Sequence, residues 1–389
     1  MRASAPDPGV DGVELYGAIE GMCVGHLVLL GGGRTGQRLR VRPPCGRLLH
    51  VSIPDRQQAL VMSGPGAPLE RLERSVDPPG PGQVLVKVNA SSLNFHDNVN
   101  LMGLLPGPWP RVPMSDGAGE VVAVGPGVDA LHVGQRVMGA FHPGWLDGPP
   151  TPEAKRELPG DSEDGWLQQY RVADAVGLVP TPDHLSDVEA ATLPCAAVTA
   201  WSALREANIG EGDIVVAQGT GGVSLFTVQL ARALGATVIL TSSSDDKLKI
   251  GSDLGATHLI NYRTTPEWDG EVRRLTEGRG ADLVVDLGGP ATLAQSVHSA
   301  RAGGTVAVIG VLSGFDTAPL SVAEVMLNNL RIIGITVGSV RAHRDLCALI
   351  SRARIRPHIS HVFGWDRVDE AVEVMRAGAH VGKIALTIS

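Results

Sequence analysis

QGTGGVSLF, Gln218 to Phe226, is the stretch whose reading decides the fold. The residues before it, DIVVA (Asp213 to Ala217), form a short apolar β-branched run. After it, Val223, Phe226, Thr227, Leu230, Ala231 and Leu234 recur at helical spacing. A buried strand is therefore expected to turn sharply into an amphipathic helix. Glycines at such a turn let the chain bend tightly and let phosphate oxygens reach backbone N–H groups at the helix N-terminus. Gly219, Thr220, Gly221, Gly222 and Val223 are the candidate cradle for a dinucleotide's phosphates. The spacing G-x-G-x-x-G is met in part, because Ser224 holds its third position.

A second strand, ATVIL (Ala236 to Leu240), follows the helix. A NAD-binding unit places a carboxylate near the end of that strand for the adenosine ribose. This chain has Thr241-Ser242-Ser243-Ser244 there. A 2′-phosphate would meet no like charge, Ser243 can donate a hydrogen bond and Lys247 can supply a positive charge, so NADPH is expected over NADH. Asp245 and Asp246 are the alternative carboxylates, although an acidic residue opening a helix also serves as a cap or dipole partner.

Further strand-helix units are read at HLIN (258 to 261), ADLVVDLGG (281 to 289), GGTVAVIGVLSG (303 to 314) and LRIIGITVG (330 to 338). That alternation predicts an α/β fold with a doubly wound parallel sheet of Rossmann type. Gly288, Gly289, Gly310 and Gly314 cluster where these strands end, the edge at which such sheets bind ligands.

The 389 residues suffice for two cores. A net charge of −8 leaves no broad basic surface, which excludes a nucleic-acid partner. Four cysteines without a CxxC pair argue against a disulfide framework and a cysteine zinc cluster, and a reducing, cytoplasmic setting is expected. The apolar run MCVGHLVLL, 22 to 30, is too short to span a bilayer and follows acidic residues, so neither anchor nor signal peptide is read.

Residues 1–56 lack lysine and are broken by Gly31-Gly32-Gly33 and Pro43-Pro44, so they are read as an appended, flexible segment. From Gln57 short strands alternate with Gly/Pro turns, as in a compact, mainly β, barrel-like domain. The prolines of 142–166 make that segment a loop, either cover for a site or a surface excursion. DRVDEAVEVMRAG (366 to 378) has helical periodicity and HVGKIALTIS closes as a strand, returning the chain to the first domain. The expected division is 57–183 with 329–389 for the first domain and 184–328 for the nucleotide domain.

SLNFHD (92 to 97), SDGAGEVVAVG (115 to 125), LPCAAVTAW (193 to 201), the glycine turn, INYR (260 to 263) and HVGKIAL (380 to 386) occur in this order. Together, over about residues 57 to 389, they resemble the medium-chain dehydrogenase/reductase superfamily, specifically its zinc-independent, quinone-oxidoreductase-like branch, which includes lens crystallins. The resemblance implies a GroES-like catalytic domain, a Rossmann domain, a nicotinamide in the cleft between them and a homodimer or other homo-oligomer. It places Tyr262 and Arg263 near the adenine and its phosphate, Thr199 near the nicotinamide, and the backbone of Gly310, Val311 and Leu312 at the carboxamide. Lys383 lies in a motif that also borders the coenzyme. Each of these positions also has an ordinary packing explanation.

The places of the family's zinc ligands fall on Asn94, Ser115 and Cys195, and only the last is a normal ligand. No catalytic metal is expected; Asp116 and His96 with Cys195 are the alternative ligand set. Without a Lewis acid, charge developing on substrate oxygen is better spread by conjugation. The expected reaction is hydride transfer from NADPH to a quinone or an α,β-unsaturated carbonyl compound, a small-molecule substrate. Asn94 is the candidate donor to the carbonyl oxygen, or else a brace for its loop. Asp97 is grouped with it among the candidate catalytic residues, expected to order the loop rather than to transfer a proton. Two other readings stand beside this one: an alcohol or aldehyde dehydrogenase, and a nucleotide-binding protein without turnover.

Overall fold

The computed structural model describes residues 49–314 and 320–389, together with the short strands Leu27–Leu29 and Gln37–Val41. Those two strands and Leu49–Ile53 pair in antiparallel order, so part of the segment read as flexible is drawn as a small sheet. The rest of residues 1–48 lies outside the described residues.

The first domain is a seven-stranded sheet built on the long strand Gln83–Leu93. Asp116–Val124 lies antiparallel on one side of it and Lys383–Thr387 on the other, with Ile359–Gly364 beyond. The tail of the chain thus fills the middle of a sheet begun some three hundred residues earlier, as the HVGKIAL motif predicts. Trp166, fully buried, occupies the core against Gly117 and Gly139, where an added Cβ would fall 2.2 and 2.1 Å from its ring. Gly117 of the SDGAGE motif is glycine for that reason.

The second domain is a six-stranded sheet in the order His258–Asn261, Thr237–Ser242, Ile214–Gln218, Ala281–Asp286, Ala300–Val308, Arg331–Gly334, all parallel. This is the doubly wound 3-2-1-4-5-6 order, whose ligand crevice opens between the first and fourth strands. Arg331–Gly334 pairs with Ala300–Val308, so the sheet runs past residue 328, where the sequence reading ended it. Helix Val340–Ala353 also packs on helices Val198–Glu206 and Gly222–Ala233 of this domain. The alternation in LRIIGITVG marked the strand correctly, and the division belongs after it.

One apolar cluster runs from Ala118, Met138 and Phe141 through Leu193, Ala197 and Trp201 to Val215 and Leu225, which welds the two domains. The loop 142–166 adds to the joint: Val340 and Arg341 donate backbone hydrogen bonds to the carbonyls of Trp145 and Leu146, and Lys155 Nζ donates to Thr336 Oγ1. Among the described residues no helix is long and apolar enough to cross a membrane.

Candidate active site

The glycine turn leaves strand Ile214–Gln218 with Gly219 at φ +72°, a conformation that side chains rarely adopt. Gly219 donates to the Thr241 carbonyl at 2.8 Å, and Ser224 Oγ donates to the Gln218 carbonyl at 2.6 Å. The serine in the third glycine position therefore closes the turn from inside. Helix Gly222–Ala233 begins without a side-chain cap, leaving backbone donors at its N-terminus. A Cβ at Gly221 would meet nothing within 4 Å, and one at Gly219 only Ser224 Oγ at 3.9 Å, so the space above the turn is open and suits phosphates. Val223 packs on the apolar cluster. Gly222 has a different role: its added Cβ would fall 2.7 Å from Lys383 Cδ. Its clearance serves a lysine stem, which corrects the reading of all three glycines as room for the cofactor.

Thr220 contributes its carbonyl, which accepts from Gly382 N at 2.8 Å, and Gly221 and Gly382 form a parallel bridge. The turn is thereby tied to the chain's last strand. At the adenosine edge, Tyr262 N donates to the Ser242 carbonyl, which brings the INYR segment beside the serine-rich strand end. Ser243 is half-buried there, while Tyr262 and Arg263 are exposed. Asp245 accepts from Asn261 Nδ2 at 2.8 Å, so this carboxylate is a partner of the neighbouring strand end. Lys247 departs from expectation. Its Nζ donates to the carbonyls of Gly378 and His380, so it ties the two domains, whereas the exposed Arg263 guanidinium has no hydrogen-bond or ion-pair partner among the described residues.

At the opposite side of the crevice, Gly310 packs so closely that an added Cβ would fall 2.0 Å from the Leu287 carbonyl. Val311 and Leu312 beyond it are 37% and 62% exposed. Gln218 bridges the switch point: its Oε1 accepts from Leu287 N at 3.2 Å and its Nε2 donates to Ser296 Oγ at 2.7 Å. Buried Asp286 accepts from Gly289 N, Thr292 Oγ1 and Ser296 Oγ. Sequence reasoning missed this bracket, although its members sit at strand ends. Thr199 is buried, and its hydroxyl donates to the Cys195 carbonyl at 2.7 Å. Leu193–Ala197, just ahead of it, is a π-helical turn, a distortion frequent at functional sites.

The SLNFHD and SDGAGE motifs meet under the crevice. Asp97 accepts from Asn94 N at 2.8 Å and from Ser115 N at 2.9 Å, so it orders the loop as expected. Asn94 Nδ2 donates to Ser115 Oγ at 3.2 Å, and Asn94 Oδ1 accepts from the Lys383 ammonium. That ammonium also donates to the Leu93 carbonyl at 2.8 Å and lies 3.5 Å from Asp116 Oδ2. Lys383 is 3% exposed, so it belongs to the protein interior and its stem alone borders the glycine turn. Burial pushes the Asp116 carboxyl up to about 6, against the pull of Lys383, while Ser92 Oγ donates to Oδ2. Its Oδ1 has no partner. Burial, and then the Asp116 charge, raises the Cys195 thiol well above its usual range, which keeps it a neutral thiol.

These residues do not fit a zinc ion. Two of the three family ligand places hold an amide and a hydroxyl bonded to each other, with an ammonium seated against the amide, which leaves Cys195 as a single normal ligand. The alternative set does not assemble either: His96 Nε2 faces Asp161 at 3.7 Å, and no group of three possible ligands occurs among the described residues. His96 and His142 instead stand edge-on to Phe141, with ring centroids at 5.4 and 4.9 Å. Burial, with Lys155 and His96 nearby, pushes His142 down to about 4, so it is neutral near pH 7. Trp166 fills the core, and Trp145 lines a 460 Å³ hollow with Trp201 beneath the 142–166 loop.

A GroES-like domain joined to a doubly wound sheet, with an open phosphate turn at the switch point, defines a two-domain oxidoreductase using a nicotinamide dinucleotide. The alcohol dehydrogenase GroES-like domain family matches residues 80–183, and the zinc-binding dehydrogenase family matches residues 222–352. A zinc-type alcohol dehydrogenase-like protein of Schizosaccharomyces pombe is 43% identical over 316 residues, 79% of this chain and 91% of its own. An acryloyl-coenzyme A reductase of Metallosphaera sedula is 26% identical over 338 residues, 85% of this chain and 99% of its own. The crystal structure of an NAD-dependent alcohol dehydrogenase superposes with a TM-score of 0.78 at 31% identity, covering 85% of this chain and all of that one. The chain belongs to the medium-chain dehydrogenase/reductase superfamily.

Proposed function

We propose that this protein is an NADPH-dependent reductase of quinones or α,β-unsaturated carbonyl compounds that works without a catalytic metal. The observation that carries this reading is the Lys383 ammonium bonded to Asn94, a residue at one of the places that the family resemblance assigns to zinc ligands. The reduced nicotinamide supplies hydride when bound. The chain's own residues polarise and orient: Asn94 Nδ2 spends one N–H on Ser115, and the second, which the buried Asp116 carboxylate also attracts, is the donor assigned here to a substrate oxygen. A conjugated acceptor delocalises the charge that develops there, so hydrogen-bond donors suffice to stabilise it. Protonation from solvent completes the reduction. A relative named for acryloyl-coenzyme A reduction supports conjugated carbonyls as the substrate class. Preference for NADPH is supported by Ser243 and the unpaired Arg263, with Asp245 held by Asn261.

The test follows NADPH oxidation against quinones, enones, aldehydes and alcohols, before and after dialysis with a chelator. Turnover of enones or quinones that survives chelation is expected. Chelator-sensitive oxidation of alcohols would establish instead the dehydrogenase reading that the name of the Schizosaccharomyces relative favours. Binding of NADPH without turnover on any acceptor would leave a non-catalytic nucleotide-binding role.

We also propose a homodimer formed at Arg331–Gly334, the strand at the edge of its sheet among the described residues, beside which Val322, Met326 and Leu327 are exposed. Sedimentation of a single monomeric species at micromolar concentration would refute it.

A further inference from the structure

Lys383 touches both halves of the site. Its methylene stem lies on Gly222 at the head of the nucleotide helix, and its ammonium ends on Asn94 Oδ1 and the Leu93 carbonyl in the first domain. An ammonium has three donors; two are used here, and the third faces Asp116 Oδ2 at 3.5 Å. A lysine buried to 3% exposure is costly unless paired, and Asp116, fully buried, is its counter-ion. The cluster is therefore charge-compensated.

The bond to Oδ1 has a directional consequence. An asparagine amide can present either its oxygen or its nitrogen to the crevice. With Oδ1 fixed on a cation and Nδ2 on Ser115 Oγ, the amide is locked with one N–H left, to be shared between the Asp116 carboxylate and a substrate oxygen. The cation also draws electron density through the amide, which strengthens that N–H as a donor.

We propose that Lys383 is a positioning residue: its buried ammonium fixes and polarises Asn94 and couples that amide to the glycine turn, taking over the orienting part of a catalytic metal's role. It keeps its proton throughout and does not touch substrate. This inference rests on the metal-free reading given above.

The experiment compares wild type with Lys383→Met, Asn94→Ala and the double variant, using an enone that the wild type reduces. Methionine keeps the stem on Gly222 and removes the charge. Lys383→Met is expected to lower kcat about 30-fold, less than the roughly 100-fold or more of removing an oriented donor outright because Asn94 itself remains, with the NADPH dissociation constant changed less than about threefold. The deuterium isotope effect from labelled NADPH should rise as hydride transfer becomes limiting. Because the lysine acts through the amide, the double variant should be no slower than Asn94→Ala by more than about threefold. A Lys383→Met kcat within threefold of wild type, or losses that multiply in the double variant, would overturn the assignment. If the unpaired Asp116 prevents folding, Lys383→Met is combined with Asp116→Asn, which keeps the interior neutral, and the same comparison is made. Loss of wild-type activity on chelation, restored by zinc, would refute the underlying metal-free reading and is seen without any variant.

Discussion

Replacing Gly222 by alanine separates two reasons for a glycine at the head of the nucleotide helix. The added Cβ would lie 2.7 Å from Lys383 Cδ and 3.2 Å from Ala196 Cβ. The first contact is about 1 Å inside the ordinary carbon separation of roughly 3.5–4 Å. The lysine stem is the softer neighbour, so it must yield. Shifting its Nζ by a similar amount stretches the 2.8 Å bond to the Leu93 carbonyl to roughly 3.8 Å, beyond hydrogen-bond range. Losing a charge-assisted bond costs about 1.5–3 kcal/mol, and residual overpacking about 1–3 kcal/mol. Alanine's better helix propensity offsets about 0.5–1 kcal/mol. The net expectation is a destabilisation of about 2–4 kcal/mol by urea unfolding. With Asn94 released from its cation, kcat on an enone should fall about tenfold while NADPH affinity changes less than about threefold. Unchanged stability and kcat with NADPH affinity weakened more than about thirtyfold would refute the reasoning and return Gly222 to the phosphate cradle.

Three further outcomes are expected. Arg263→Ala should weaken NADPH binding about 10-fold and NADH binding less than about twofold by fluorescence titration, and an equal effect on both would count against a 2′-phosphate contact. Asp116 is raised from 3.8 to about 6, so between those values the fold holds a proton that the unfolded chain has released, and its contribution to stability falls as pH rises through that window. Denaturation of wild type and Asp116→Asn across pH 4 to 7 should therefore show a steeper decline in wild type, and parallel curves would refute the shift. Gly117→Ala, which sets a Cβ 2.2 Å from the Trp166 ring, should cost about 3 kcal/mol or more in thermal or urea unfolding, and a near-neutral variant would show that the indole can relocate.

Much of this architecture was legible because its signals are local. The glycine turn, the serine-rich strand end and the alternation of apolar strands with helices each sit within a few residues, and the sheet order follows from them. Even Arg331–Gly334 was visible as a strand, although the domain division drawn from the sequence left it on the wrong side. What escaped depends on distant partners. Nothing near Lys383 announces that its ammonium ends on a residue 289 positions earlier. Lys247 was read by its charge and place in the chain, but two carbonyls of the returning tail claim it. Gly222 was assigned to the ligand because the atom it makes room for belongs to another domain. Gln218, Asp286 and Ser296 bracket the switch point through buried side-chain bonds that no spacing rule encodes.

Strand Lys383–Thr387 lies between Gln83–Leu93 and Ile359–Gly364, so the first domain's sheet stays open along its centre until the tail of the chain arrives. At a synthesis rate of about 5–20 residues per second, the interval separating Leu93 from Lys383 lasts roughly 15–60 s. During that time the nascent polypeptide carries an unsatisfied β-edge, and the nucleotide domain gains its last strand, Arg331–Gly334, before the interval ends. Newly made protein should therefore engage holding chaperones through this early strand, and release from them should coincide with the emergence of Lys383–Thr387 rather than with completion of the coenzyme-binding half.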